Sequence, residues 1–196
     1  MNILNEDGYI VLNDIIEKNN QDFLENFLMS NNFEWYFYPS TSTDLTFKNI
    51  NNCYEAPQFV HIFFDGLKEE KDKHNSPYLI KILTILSGLY NKTKLSNYKL
   101  LRVKCNLLMA RPQNTYDNFT LPHVDTSKNH LVLIYYVNDN DGKTFLFNKD
   151  LSIKTTIIPK KGSALLFDGS ILHASSHPIK HQFRTIVNFD LEFQNN

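Results

Sequence analysis

An imidazole and a carboxylate stand two positions apart in the stretch LPHVDTS, as His123 and Asp125. Side chains at positions i and i+2 of a strand point to the same face, so this pair could supply two neighbouring ligands to one metal ion. The same spacing also arises by chance, because with 13 Asp in the chain each His has roughly a 1 in 15 chance of an Asp two positions later. The pair alone leaves both interpretations open, a metal site or two polar residues on one strand face.

The second half of the chain has the pattern that would place such a pair on a strand. Short segments of β character are separated by turn sequences such as NDNDGK and PKKG, with no helical pattern between them. Strands are predicted at 98–110, 131–138, 144–147, 153–158, 163–167, 171–175 and 183–193. Such a run of short strands predicts an antiparallel sandwich or jelly roll.

The first half of the chain has helical periodicity instead. Apolar residues recur at helical spacing in NDIIEKNNQDFLENFLMSN, behind Asn13 or Asp14 as the N-cap, and again in SPYLIKILTILSGLYNK, which Ser76 and Pro77 open. GYIVL and FEWYFYP are typical of short strands, and KEEKDKH (68–74) predicts a solvated charged face or loop.

We therefore expect one domain over 1–196 that is mainly β with N-terminal helices. Residues 98–193 form the jelly-roll core, and residues 1–97 form a helical and irregular support region whose helices pack on one outer face.

Two of the predicted strands alternate between apolar and polar side chains, with Asn106 and Arg184 on the polar parity. Such alternation normally turns the polar side chains to water. In a jelly roll whose apolar parity is covered by helices, the polar parity would instead point into the barrel. A polar ligand could then bind there.

Several segments of this half, in their order and spacing, carry a resemblance to a known superfamily. They are HVD at 123–125, LVLIYYVNDNDGKTFLF at 131–147, PKKGSALLF at 159–167, His173 with Pro178 after it, and Arg184 within FRTIVNF. They resemble the Fe(II)/2-oxoglutarate-dependent oxygenases, specifically the prolyl-4-hydroxylase-like branch, over roughly residues 98–193. The resemblance implies a double-stranded β-helix, which is a jelly roll, and an enzyme that uses Fe(II), 2-oxoglutarate and O2.

The resemblance also implies the metal ligands, which are His123, Asp125 and His173. Two neutral imidazoles and one carboxylate occupy one face of an octahedral ferrous ion and leave three positions open for cosubstrate and dioxygen. His177 and His181 are alternatives for the distal ligand. We favour His173, because it follows the apolar strand ALLFDGSIL and precedes a proline.

Cosubstrate-binding residues follow from the same resemblance. Arg184 resembles the basic residue that binds the far carboxylate of 2-oxoglutarate, and its planar fork suits a bidentate bond to a carboxylate. Tyr136 matches a tyrosine that bonds the same carboxylate in the prolyl-hydroxylase branch, and Asn106 lies where relatives often place a Tyr or Asn that lines the pocket. At Asp141–Thr144 the chain has Asp-Gly-Lys-Thr where relatives often have a Gly-Gly-x-Thr or Gly-Gly-x-Glu turn. The loss of one glycine is expected to affect only the local backbone.

Composition limits the other classes of function. A net charge of -1 and a pI near 6.6 imply neither a nucleic-acid nor an anionic-membrane partner. The N-terminus lacks a signal-peptide pattern, no stretch approaches 18 apolar residues, and Cys53 and Cys105 form no disulfide or zinc motif. These features predict a cytoplasmic protein. His61, His74 and His130 have no partner at ligand spacing and are predicted to be surface or core residues.

The function predicted from this combination is hydroxylation of an unidentified substrate, a peptide side chain such as prolyl or a small metabolite, with release of succinate and CO2. Two alternatives remain, a non-catalytic jelly-roll binding module and a metal-dependent cupin-type enzyme that uses no 2-oxoglutarate. Substrate choice is expected to depend on the segments 34–60, 111–120 and 126–130. The segment 111–120 is either a lid over the metal, shielded by Tyr116 and Phe119, or an ordinary surface loop.

Overall fold

A computed structural model describes residues 3–42, 46–69 and 74–193, apart from the side chain of residue 74. The helices are α1 (Lys18–Leu28), α2 (Leu79–Ile82) and α3 (Thr84–Thr93). The strands of the first half are β1 (Tyr9–Leu12), β2 (Tyr36–Tyr38), β3 (Cys53–Tyr54), β4 (Gln58–Asp65) and β5 (His74–Asn75). Those of the second half are β6 (Tyr98–Met109), β7 (Phe119–Thr120), β8 (Leu131–Tyr136), β9 (Thr144–Phe147), β10 (Ile153–Ile157), β11 (Ala164–Asp168), β12 (His173–Ser175) and β13 (Phe183–Phe193).

Two antiparallel sheets form the body of the structure. The large sheet has the strand order β1-β11-β8-β13-β6-β4-β2, with β5 beside β4, and the small sheet has the order β10-β9-β12. A backbone bridge between His123 and His173 adds the segment around His123 to the small sheet, next to β12. The chain thus passes back and forth between the sheets from β6 to β13, which is the double-stranded β-helix that the sequence predicts.

An apolar cluster between the two sheets joins them. It contains side chains from β8, β9, β10, β11 and β13, namely Val132, Ile134, Tyr136, Leu146, Ile157, Leu165, Phe167 and Ile186. This cluster fills part of the barrel, and the polar side chains of β6 and β13 share the rest of the interior.

The helices cover the opposite face of the large sheet, as predicted. Leu24 and Leu28 of α1 and Ile85 and Leu89 of α3 are fully buried, in one cluster with Val103, Cys105, Val187 and Phe189 of β6 and β13. Burial of this apolar parity supplies the main driving force for the helix–sheet packing. It also forces the other parity of the same strands to face the barrel interior.

Two local expectations are wrong. Helix α1 begins at Lys18, because Ile15 and Ile16 are buried as non-helical chain and Asp14 has a left-handed φ of 46°. Strand β4 was not predicted, because both of its faces are largely buried and its apolar run QFVHIFFD lacks alternation.

The charged loop predicted at 68–74 lies mostly outside the described residues, since 70–73 are not among them. Its first residue, Lys68, pairs with Asp65 at 3.7 Å and is exposed. No helix in the described ranges is long and apolar enough to cross a membrane.

Helix α3 packs directly on the backbone that precedes α1. A Cβ atom on Gly88 would lie 2.1 Å from the carbonyl oxygen of Ile15 and 2.9 Å from its carbonyl carbon. A backbone oxygen cannot move aside as a flexible side chain can. The small size of Gly88 therefore sets how closely α3 approaches the core.

We expect Gly88→Ala to destabilise the protein. Alanine improves helix propensity by about 1 kcal/mol, but overpacking against fixed backbone costs about 1–3 kcal/mol, and contact with a backbone oxygen places the variant at the upper end. Urea unfolding measures the difference, with Ser87→Ala on the exposed side of the same helix as the matched control. If both variants gained stability, the close approach at Ile15 would be wrong.

Candidate active site

The register between β6 and β13 arranges the polar parity along the barrel. Successive inward-facing cross-strand pairs are Arg184–Leu108, Ile186–Asn106, Asn188–Lys104 and Asp190–Arg102. The interior therefore has a guanidinium toward one end and an Arg–Asp pair toward the other. The sequence predicted this inward parity for Asn106 and Arg184 only on the condition that helices cover the apolar parity of a jelly roll, and the structure meets that condition.

A cavity lies between the two sheets. Its polar wall consists of Gln58, Lys104, Asn106, His123, Thr144, His173, Arg184 and Asn188. Thr41 and Gln58 come from the first half of the chain, so the support region contributes to the cavity as well.

His123, Asp125 and His173 meet at this cavity. Each offers one ligand atom, and these atoms all lie within 4.8 Å of one another. The two histidines are held together by a reciprocal pair of backbone hydrogen bonds, in which each N–H donates to the other carbonyl at 3.0 Å. Asp125 follows His123 by two residues, which places both side chains on the same side of the chain.

Hydrogen bonds to the backbone orient both imidazoles. Nδ1 of His123 lies 2.9 Å from the carbonyl oxygen of Leu121, and Nδ1 of His173 lies 3.4 Å from that of Ile171. A proton on each Nδ1 leaves each Nε2 free as a ligand. Burial and the neighbouring His173 lower the pKa of His123 to about 4, so His123 is neutral at pH 7.

The two oxygens of Asp125 have different surroundings. Oδ1 accepts from Arg102 Nη2 at 2.5 Å and lies 3.4 Å from Lys104 Nζ. Oδ2 accepts from Asn188 Nδ2 at 3.1 Å and lies 3.4 Å from His173 Nε2.

These neighbours keep Asp125 ionised. Burial alone would raise its pKa, but Lys104, His173 and Arg102 outweigh burial and hold the pKa well below its usual range. Two imidazoles and one carboxylate, with ligand atoms within 4.8 Å of one another, are the donor set that suits Fe(II) with open positions. The residues present therefore fit the metal that the sequence implies.

Arg184 is buried, with 1% of its surface exposed. Its Nε donates to the carbonyl of Gly142 at 3.2 Å, and its Nη2 donates to Thr144 Oγ1 at 2.8 Å. No carboxylate of the described residues lies within ion-pair distance of it, and burial lowers its pKa. A guanidinium has five N–H donors, so most of them remain for an anionic ligand, which the buried charge requires.

Thr144 joins Arg184 to Tyr136. The Tyr136 hydroxyl donates to Thr144 Oγ1 at 2.9 Å, so that oxygen accepts from both side chains and its own hydrogen is free to point at a ligand. Tyr136 is fully buried behind it and does not line the cavity. The sequence reasoning missed Thr144, although the Gly-x-Thr remnant of the family turn was the available signal.

Asn106 lines the cavity between the two charged ends. Its Nδ2 donates to Gln58 Oε1 at 2.7 Å, while its Oδ1 is buried and has no partner within the described part of the chain. Asn188 Oδ1 is likewise buried and has no hydrogen-bond partner among the described residues. Both amides therefore carry an acceptor that a ligand or water in the cavity can use.

The remaining histidines lie elsewhere. His177 is buried against the Tyr54 hydroxyl at 2.8 Å, and His181 bonds Asp141 at the surface. His61 and His130 are buried and bonded to backbone carbonyls, and the side chain of His74 lies outside the described residues. Of the candidates for the distal ligand, the structure brings only His173 to the triad.

The 111–120 loop does not place Phe119 over the triad. Phe119 is 3% exposed and packs on Phe145 and Phe147 of β9, whose side chains point to the opposite face from Thr144. Tyr116 is half-exposed and lies against Lys143. The two aromatic residues proposed as shields therefore pack elsewhere.

Comparison with known proteins identifies the fold. No protein-family model and no curated protein matches the sequence. The structure is similar to an oxidoreductase of the 2OG-Fe(II) oxygenase family from Burkholderia pseudomallei, with a TM-score of 0.67 and 12% identity, over 97% of this chain and 88% of that one.

Two further solved structures show the range of reactions on this fold. A prolyl hydroxylase from Trichoplax adhaerens, in complex with a hypoxia-inducible-factor peptide, has a TM-score of 0.61 and 13% identity, with 98% and 86% of the chains covered. The α-ketoglutarate-dependent epimerase SnoN of nogalamycin biosynthesis has a TM-score of 0.56 and 12% identity, with 95% and 78% covered. The chain thus has the double-stranded β-helix fold of the 2-oxoglutarate/Fe(II) oxygenases, with a His-x-Asp…His triad in its cavity.

Proposed function

We propose that the protein is an Fe(II)- and 2-oxoglutarate-dependent dioxygenase that hydroxylates its substrate and releases succinate and CO2. The observation that carries the proposal is the presence, in one cavity, of a His2Asp donor set and a buried guanidinium without a carboxylate partner among the described residues. A ligand that chelates a metal at one end and carries a second carboxylate at the other end complements both features. 2-Oxoglutarate is such a ligand.

The residues of the chain have distinct tasks in this reaction. When bound, the iron and the cosubstrate would supply the oxidative decarboxylation and oxygen-transfer chemistry. His123, Asp125 and His173 would hold the iron, and Arg184 would bind the distal carboxylate together with the Thr144 hydroxyl. Tyr136 would act through Thr144.

The rest of the cavity orients the cosubstrate and excludes water. Asn106 and Asn188 provide polar contacts between the two ends, and the apolar cluster that includes Ile134 and Ile186 closes one side. Exclusion of water strengthens each of these charged interactions.

Hydroxylation is the reaction we propose, and a peptide side chain such as prolyl or a small metabolite is the proposed substrate. The likeness to prolyl hydroxylases supports the former class. The likeness to an epimerase makes product analysis necessary, because a 2-oxoglutarate enzyme can form succinate without leaving a hydroxyl group on the product.

We expect succinate formation to require Fe(II), 2-oxoglutarate and the triad. His123→Ala and Asp125→Ala each remove one ligand and should abolish turnover above background, because two protein ligands hold the metal poorly. Succinate is measured in screens of peptide, amino-acid and metabolite pools. His181→Ala removes a surface histidine and should keep wild-type turnover; equal loss in this control would point to unfolding.

We expect Arg184→Met to have opposite effects on cosubstrate binding and stability. Loss of the buried charge-assisted contact should weaken 2-oxoglutarate binding by about 2 kcal/mol or more, roughly thirtyfold. The ligand-free protein should melt at a higher temperature, because an uncompensated buried charge has been removed. Calorimetric titration and thermal melting give the two readouts. Thr144→Val should weaken binding less, and unchanged affinity in Arg184→Met would contradict the assignment.

Thermal shifts distinguish the three candidate functions without knowledge of the substrate. With Mn(II) and N-oxalylglycine at about 100 times their dissociation constants, each ligand should raise the stability of an oxygenase by about 2.7 kcal/mol. A cupin-type enzyme would respond to Mn(II) alone and gain nothing from N-oxalylglycine. A binding module without a metal site would respond to neither, and that result would end the proposal.

A further inference from the structure

Arg102 lies between two buried carboxylates. Its Nη2 donates to Asp125 Oδ1 at 2.5 Å, and its Nε donates to Asp190 Oδ2 at 2.9 Å. Both carboxylate side chains are 1% exposed, whereas Arg102 is 20% exposed. The guanidinium is planar and rigid, so bonds from two of its nitrogens fix its orientation as well as its position.

The anchor of this arrangement is the large sheet. Asp190 on β13 and Arg102 on β6 are direct cross-strand partners, and both strands are central in the sheet. Asp125 lies outside the named strands, just after the His123 bridge. A carboxylate outside the named strands is therefore held by a side chain that is itself bonded across the two central strands.

The geometry points to Arg102 as a positioning residue for the metal ligand Asp125. We propose that Arg102, held by Asp190, occupies Asp125 Oδ1, so that Oδ2, which also accepts from Asn188 Nδ2, is the one oxygen that can bind the metal. Oδ2 is the oxygen that lies 3.4 Å from His173 Nε2, on the side of the imidazole ligands. The inference rests on the proposed function of the triad.

The number of coordination positions explains why a single oxygen matters. A facial triad with a monodentate carboxylate leaves three of six octahedral positions open. A chelating 2-oxoglutarate takes two of them and leaves one for dioxygen. If Asp125 bound through both oxygens, the cosubstrate would fill the last two positions. Keeping Oδ1 off the metal would therefore leave a coordination position open for dioxygen after the cosubstrate binds.

Lys104 provides a matched comparison for charge. Its ammonium group lies 3.4 Å from the same oxygen, Asp125 Oδ1, and no second carboxylate is bonded to it within the described ranges. Arg102 and Lys104 thus bring the same charge to the same atom, but only Arg102 is anchored. A purely electrostatic role would make the two residues equivalent.

The test uses Co(II) as a spectroscopic probe, with the full chain and without a substrate. Arg102→Met should weaken Co(II) binding about 10- to 100-fold, the range found when a partner of a metal ligand is removed. It should also change the visible Co(II) spectrum and reduce the further change produced by 2-oxoglutarate. Lys104→Met removes a charge and a 3.4 Å contact at the same oxygen but leaves the anchored Arg102 in place, so it should bind Co(II) more tightly than Arg102→Met does and keep the wild-type spectrum.

Two conservative variants keep the test decisive if Arg102→Met does not fold. Arg102→Lys keeps the charge but cannot bond both carboxylates, and Asp190→Asn keeps the shape but loosens the anchor. Positioning by Arg102 predicts weaker Co(II) binding and an altered spectrum in both variants. Circular dichroism and melting of the metal-free proteins check that each variant is folded.

The opposite results would overturn the inference. If Arg102→Lys bound Co(II) as the wild type does, with an unchanged spectrum, Arg102 would contribute charge alone, and if Arg102→Met did so, Arg102 would contribute nothing to the metal site. If the wild type itself bound no Co(II), the proposed function would fail first. The two failures are therefore distinguishable by the wild-type titration.

Discussion

The structure depends on one constraint, which is that the central strands of the large sheet are covered on both faces. Helices bury one face through residues such as Cys105 and Val187, so the alternate side chains face the barrel interior and are largely removed from bulk water. Those side chains are polar or charged, and burial of such groups without partners is costly. A ligand whose groups pair with these side chains would remove the free-energy cost of burying them. The polar cavity is therefore expected to hold such ligands.

The buried charges at the two ends of the barrel interior are paired in different ways. Toward the metal, Arg102 bonds both Asp125 and Asp190, so the charges of the protein are paired before any ligand binds. Toward the other end, Arg184 has only the Gly142 carbonyl and the Thr144 hydroxyl as partners. Pairing gives a preformed geometry, whereas an unpaired buried charge gives affinity for an anion. We therefore propose that the triad end serves to position a metal and that the Arg184 end serves to bind an anion.

The sequence predicts much of this arrangement. It does not predict the parts that depend on packing between segments that are distant in the chain. The strands of the second half follow from alternation and turn residues. The inward parity of Asn106 and Arg184 follows from alternation only when helices are expected to cover the apolar parity. The start of α1 could not be read from periodicity, because Ile15 is buried as non-helical chain beneath Gly88. Strand β4 lacks alternation, so its contribution of Gln58 to the cavity was also invisible.

The fold restricts the class of reaction more closely than it restricts the identity of the substrate. Prolyl hydroxylases and an epimerase have the same fold at about the same low identity to this chain, 14% and 12% in two cases. Residues that serve the metal and the distal carboxylate cannot distinguish these reactions, because they act on the shared cosubstrate. Discrimination must come from side chains that face the cavity without serving either end. Thr41 and Gln58 from the support region are such residues, so we propose that substrate choice depends on the half of the chain in which sequence patterns were least informative.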